Sequence, residues 1–248
     1  MNITRLIRSE LRKISTTKMP WAFLAVLAVL AGLNAFAVVA GTDFDGSKAF
    51  IATAADQQSL MAFAANALAI AGLFGATAVA REYGHHTVVP TFLASPRRHR
   101  AVLAQFGAIA VSGGILGLLG AGFTVVAVAF SLPMTDYGFL VSTGGVTQVL
   151  AASAFAGAAG AVLGAGIGLL VRNVGGAVTG VVLTLLIAPP LVVQLASGTA
   201  SWMPSVLANV LSGTVTDVGQ PAAFAAIAAW ALVPAAIGLV AVQRRDVV

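Results

Sequence analysis

Six apolar runs, each long enough to cross a lipid bilayer, are joined by connections whose charge alternates along the chain. Twelve of the thirteen Lys and Arg residues fall in four short stretches. These are Arg5, Arg8, Arg12, Lys13 and Lys18; Arg81, Arg97, Arg98 and Arg100; Arg172 alone; and Arg244 with Arg245. Lys48 is the exception. Five of the eight acids (Asp43, Asp45, Asp56, Asp136 and Asp217) lie in the gaps between those clusters. Basic loops alternating with basic-poor loops follow the positive-inside rule. The expected fold is an all-α membrane protein of six transmembrane helices with both termini in the cytoplasm. An even number of spans returns both ends to the basic side, so span count and charge pattern agree.

Charged residues make up 8% of the 248 residues, against about 25% in an ordinary soluble domain. A span takes about 20 apolar residues at ~1.5 Å rise, so six spans leave little chain for anything else, and 1–248 reads as a single transmembrane domain. The spans are expected at Met19–Ala40, Leu60–Ala80, Ala101–Leu132, Val146–Val171, Gly175–Ala196 and Ala222–Val242. The third exceeds one crossing, which implies tilt, a kink near Gly113-Gly114 or a cytoplasmic stem. The run from Met19 to Ala40 is longer than the apolar core of a signal peptide, so a retained first span is expected. Without cysteine there are no disulfides and no thiolate-bound metals. The net charge of +5 sits beside spans, where topology and anionic headgroups account for it, and no nucleic-acid partner is implied.

Ahead of the first span, within 1–18, Ile3, Leu6, Ile7, Leu11 and Ile14 recur at helical spacing, with Arg5, Arg8, Arg12 and Lys13 over much of the other face. This predicts an amphipathic helix in the membrane interface. Gly113 and Gly117, and Gly157, Gly160, Gly164 and Gly168, fall at small-residue spacing in spans three and four, which predicts close helix packing. In the outer segment 197–221, Trp202, Met203, Val206, Leu207, Val210 and Leu211 predict an interfacial or re-entrant helix too short to cross. Pro189-Pro190 lies inside span five and is expected to break its hydrogen-bond ladder, facing either a cavity or a neighbouring helix.

No Asp, Glu, Lys, Arg or His falls inside any expected span, which argues against an ion-coupled transporter with its own relay. No paired carboxylate, His cluster or nucleophile–base set lies at membrane depth, so no catalytic residue is assigned and an intramembrane enzyme is the weakest reading. His85, His86 and His99 all fall between spans two and three. Glu82 and His86 could share a helix face, but a catalytic zinc needs three protein ligands, so no metal site is expected. There is no G-x-x-x-x-G-K-[ST] phosphate loop. The chain is expected to bind no cofactor itself, and any uphill work must draw on another polypeptide. Uncharged polar residues in the spans, Asn34, Asn66, Thr77, Gln105, Ser112, Thr124, Thr179, Thr184 and Gln194, are expected to hydrogen-bond between helices. Asn34, Asn66, Pro189 and Pro190 are the candidate substrate path.

The segment 81–100 is the one sizeable internal basic connection. Pro90 suits the first turn of a short helix and Pro96 would end it, leaving Thr91, Phe92 and Leu93 before an Arg-rich exit. An exposed Phe-Leu pair reads as membrane contact or as a knob for a partner's groove. Glu82, Thr87 and the run Leu93-Ala94-Ser95-Pro96-Arg97-Arg98 resemble the Glu…Thr…Leu-Ala-[ST]-Pro-x-x-[RK] loop of the permease subunits of type 2 ATP-binding-cassette exporters, in particular their small actinobacterial-type members. The layout of the whole chain is similar too. One departure is His86 before Thr87, where that family often has Gly.

The resemblance implies a coupling helix between spans two and three that docks on a cytoplasmic ATPase dimer. It implies an N-terminal helix touching the same ATPase, and a second permease copy, identical or not. Glu82, Thr87, Thr91, Phe92, Leu93, Pro96, Arg97 and Arg98 are the candidates for ATPase coupling, with ATP and Mg²⁺ on the partner subunit. The expected setting is the bacterial cytoplasmic membrane and the expected cargo an amphiphilic drug, lipid or peptide. The alternative is a non-transporting anchor or assembly protein whose basic loop binds a soluble partner.

Overall fold

A computed structural model describes residues 3–43, 46–84 and 98–244. Among them the protein is all-α, and six helices are long and apolar enough to cross a membrane. The elements are α1 (Ile3–Ser15), α2 (Met19–Ala40), α3 (Ala54–Met61), α4 (Ala64–Gly84), α5 (Arg98–Ser131) and α6 (Thr143–Val171). They continue with α7 (Val174–Val182), a π-helical turn (Leu183–Ile187), α8 (Ala188–Leu195), α9 (Pro204–Leu211) and α10 (Gln220–Arg244). Short 3₁₀ turns at Ala49–Ile51, Leu132–Met134 and Ser197–Trp202 complete the connections.

Helix α6 is the axis of the bundle, packed on α4, α5 and α10. The reason is its sequence: glycines line three of its faces, with Gly166 against Pro234 and Ala235 of α10, so neighbouring backbones come into direct contact. Gly160, Gly164 and Gly168 rest on Leu68, Gly72 and Ala76 of α4, while Gly157 and Ser153 meet Gly113 and Gly117 of α5. In lipid no hydrophobic force drives helices together, and this close approach supplies the van der Waals contact instead. Helix α2 and the α7–α8 pair lie at the periphery, with large apolar side chains such as Trp21, Leu33, Phe36, Leu186 and Leu191 exposed.

Several elements differ from the sequence expectation. The second span begins as α3, whose Thr53 and Asp56 form a reciprocal capping box; the chain leaves the helix at Ala62-Phe63 and restarts as α4. Of the alternatives for the third span the structure shows the prolonged one: a single helix from Arg98 to Ser131, unbroken at Gly113-Gly114, which pack against α6. Pro189-Pro190 does not break the fifth span. The ladder widens beforehand into the π-turn, where Ala188 N–H bonds Leu183 O, and the wider turn absorbs the carbonyl clash that two prolines impose.

Four of the span hydroxyls bond within their own helices rather than between helices. Thr77, Ser112, Thr124 and Thr184 each donate to the carbonyl four residues back in their own helix, the local alternative open to short hydroxyl side chains.

At the other end of the bundle three glutamine amides tie the connections down, and Gln57 is fully buried. Gln57 donates to Ile51 O (3.1 Å) and Gly138 O (2.9 Å) and accepts from Leu140 N–H (2.8 Å). Gln58 and Gln148 donate to Ser212 O and Leu211 O at the end of α9, whose Leu207 and Val210 are buried. Lys48, the lysine outside the basic clusters, places its ammonium on Val38 O and Val39 O. There it satisfies the last carbonyls of α2 and complements the negative end of that helix.

Candidate functional site

Helix α1, the last turn of α4 and the last turns of α10 share one end of the bundle. The apolar stripe of α1 does not simply rest on lipid. Leu6 is buried, Ile7 packs against Gly107 of α5, and Ile14 enters two clusters with residues of α2, α4, α5 and α10. Arg5, Arg8 and Arg12 stay exposed on the other face, so α1 presents cations outward while its apolar side is held by protein.

One charged residue of α1 turns inward. Glu10 is buried on the docked face, and Lys13 bridges it to the last turn of α4, with Nζ 3.0 Å from Glu10 Oε2 and 2.8 Å from Glu82 Oε1. Glu82 also shares a side-chain hydrogen bond with Gln105 of α5. Burial alone favours the neutral Lys13 amine, but the hydrogen bond and charge of Glu82, then those of Glu10, outweigh it and hold the pKa above its ordinary 10.5. Lys13 is therefore a permanent cation joining α1 to α4. A cavity of about 270 Å³ opens beside it, lined by Lys13, Ile14, Thr17, Met19, Arg81 and Glu82 among others.

The residue after Glu82 forms a second junction. The Tyr83 ring lies in the apolar cluster of Val79, Leu169 and Val242, and the Arg172 guanidinium sits over it, Cζ 5.1 Å from the ring centroid. Arg172 closes α6 in the left-handed region at φ 55. Its N–H bonds Gly168 O, and Asn173 then caps α7 by accepting from Gly176 N–H at 3.1 Å.

Of the expected coupling residues, Glu82 is in this junction and Arg98 opens α5. Thr87, Thr91, Phe92, Leu93, Pro96 and Arg97 lie outside the described residues. Asn34 is half-buried on α2 with its amide 3.5 Å from Leu30 O, Asn66 is exposed on α4, Pro189 is buried and Pro190 is exposed. None of these four lines the cavity beside Lys13. Among the described residues no group of three His, Asp or Glu side chains gathers to hold a metal.

Sequence reasoning passed over Glu10, Lys13, Tyr83 and Arg172 as site residues. Glu10 carried a signal: it is the one acid in an otherwise basic helix, three residues before Lys13 and between apolar positions of the stripe. Tyr83 and Arg172 carried none, because 89 positions separate them.

No protein-family model matches the chain, and no curated protein matches it. The class is defined by the fold alone: an all-α, multi-pass membrane protein whose bundle has six membrane-length helices.

Proposed function

We propose that this chain is the membrane-spanning, non-catalytic subunit of an ATP-binding-cassette exporter in the bacterial cytoplasmic membrane, with both termini cytoplasmic. A separate ATPase dimer would bind ATP and Mg²⁺, and two permease copies would enclose the path. The observation that carries this reading is the Lys13–Glu82 ion pair. It joins the two parts of the chain that the sequence resemblance assigns to ATPase contact: the N-terminal helix, and the point where the coupling segment leaves α4.

A push delivered to residues 85–97 would reach α4 directly and α1 through Lys13. It would pass to α6 through the glycine contacts of Gly72 with Gly164, since backbones in van der Waals contact cannot slide without moving together. The bundle would then rock as a unit against the second copy. An amphiphilic cargo suits a bundle whose membrane-depth surface carries no charge.

Purification of the full chain from its native membrane tests this. The expected result is co-purification of an ATPase whose hydrolysis rises with the permease and with an amphiphilic substrate. A soluble partner with no nucleotide hydrolysis would favour an anchoring protein instead, and transport by the chain alone would overturn the reading.

A further inference from the structure

Three donors at the Tyr83–Arg172 junction have no hydrogen-bond partner. Arg172 Nε, Arg172 Nη2 and Tyr83 Oη are each buried and unpaired. The first two lie on one edge of the guanidinium, and that edge is the fork that takes two oxygens of one oxyanion side by side. The Tyr83 hydroxyl is a third donor beside them, because the guanidinium lies over its ring. Stacking on the ring occupies the flat face of Arg172, and its Nε–Nη2 edge, though covered by the protein, is left without an acceptor.

No acid among the described residues answers this cation. At this end of the bundle the acids Glu10 and Glu82 converge on Lys13. Arg172 as a whole is only partly buried, but donors buried without acceptors carry a cost. The arrangement is explained by an anion that completes it.

We propose that Arg172 and Tyr83 form a binding site for a phosphate oxyanion, and that the headgroup of a phospholipid supplies it. The depth of the site argues for lipid. Arg172 follows directly on Val171, whose side chain is 43% exposed at the end of an apolar helix, and Arg81 and Arg244 close the helices beside it. Basic residues at the ends of spans lie at headgroup level, where phosphate is the abundant anion. The span that follows Arg172 exposes Leu183, Leu186 and Ile187, apolar side chains that suit acyl chains. A lipid held there would join α4, α6 and the α6–α7 turn through one anion. This inference is independent of any ATPase.

The test uses full-length protein, delipidated in detergent and followed by native mass spectrometry and thermal unfolding. Phosphatidylglycerol is the lipid probe and inorganic phosphate the soluble one. Wild type should retain one phosphatidylglycerol and gain several degrees of thermal stability, whereas millimolar phosphate alone should do little. Arg172→Gln should weaken retention roughly tenfold or more, the scale of a lost charge-assisted bond. Tyr83→Phe keeps the ring under the guanidinium and should weaken retention several-fold, which preserves the test if Arg172→Gln fails to fold. Arg172→Lys should bind between wild type and Arg172→Gln.

Equal retention by wild type, Arg172→Gln and Tyr83→Phe would overturn the site. Protection of wild type by phosphate but not by lipid would overturn the lipid as its source. Protection by an acidic peptide alone would do the same, and would assign the site to a protein carboxylate.

Discussion

Gly164 of α6 lies on the backbone of Gly72 in α4: a methyl group at Gly164 would come 2.7 Å from the Gly72 carbonyl carbon and 2.9 Å from the Ala76 nitrogen. Nothing flexible stands in that space, so the contact fixes how closely the two central helices approach. Gly160 on Leu68 and Gly75 on Ala161 repeat it along the same interface.

Gly164→Ala must therefore separate α4 from α6. The expected loss is about 3 kcal/mol, at the upper end of overpacking costs because the obstacle is backbone, read as a lowered unfolding midpoint in detergent. Gly122→Ala in α5, where a Cβ meets nothing within 4 Å, should be neutral or stabilising by up to ~1 kcal/mol. Equal midpoints for the two variants would contradict the packing argument.

Gln57 is fully buried and serves three backbone partners from two connections. Gln57→Leu keeps the volume but strands two carbonyls and one N–H, at roughly 1–3 kcal/mol for each unsatisfied group. A total of about 3 kcal/mol is expected. Gln58→Leu, which gives up the bond to Ser212 O, should cost about 1 kcal/mol in the same unfolding assay.

The Lys13 bridge is half in solvent, its side chain 43% exposed, so screening limits its contribution to global stability to about 1 kcal/mol or less. Its effect should be local. Glu82→Gln should raise amide hydrogen exchange through α1 severalfold and leave α6 unchanged. Because the folded Lys13 pKa is raised above 10.5, the stabilisation from Lys13 is complete at neutral pH. It is lost only as pH rises beyond that value through the folded pKa. Exchange in wild-type α1 should therefore be flat across neutral pH once intrinsic rates are removed. A rise between pH 7 and 9 that is absent in Lys13→Met would contradict the assignment.

On the proposed function, Phe92→Asp and Arg97→Glu should each lower ATPase stimulation about tenfold or more, the scale expected for truncating a contact at the centre of an interface. Membrane insertion and the unfolding midpoint should stay unchanged. Full stimulation in both variants would remove the 85–97 segment from the coupling surface.

The amide and hydroxyl contacts separate what local sequence encodes from what it does not. The capping box of Thr53 and Asp56 stands three residues apart and marks the start of α3, so that helix was legible, although the apolar run masked it. Gln57 could not be assigned from sequence, since Gly138 and Leu140 reach it only after the chain has crossed the bundle and returned. The glycines of α6 announced close packing, but not that one set faces α4 and another α5.

The sequence by itself determined six membrane-length helices, an amphipathic helix before them and a short apolar helix near the last span. Water and hydrocarbon sort side chains residue by residue, and that sorting is local. Only the tertiary structure decided that α6 is the axis, that Lys13 meets Glu82, and that Arg172 lies over Tyr83 with its donors unpaired. Those relationships join residues far apart along the chain, and they exist only once glycine contacts have set the distances between helices.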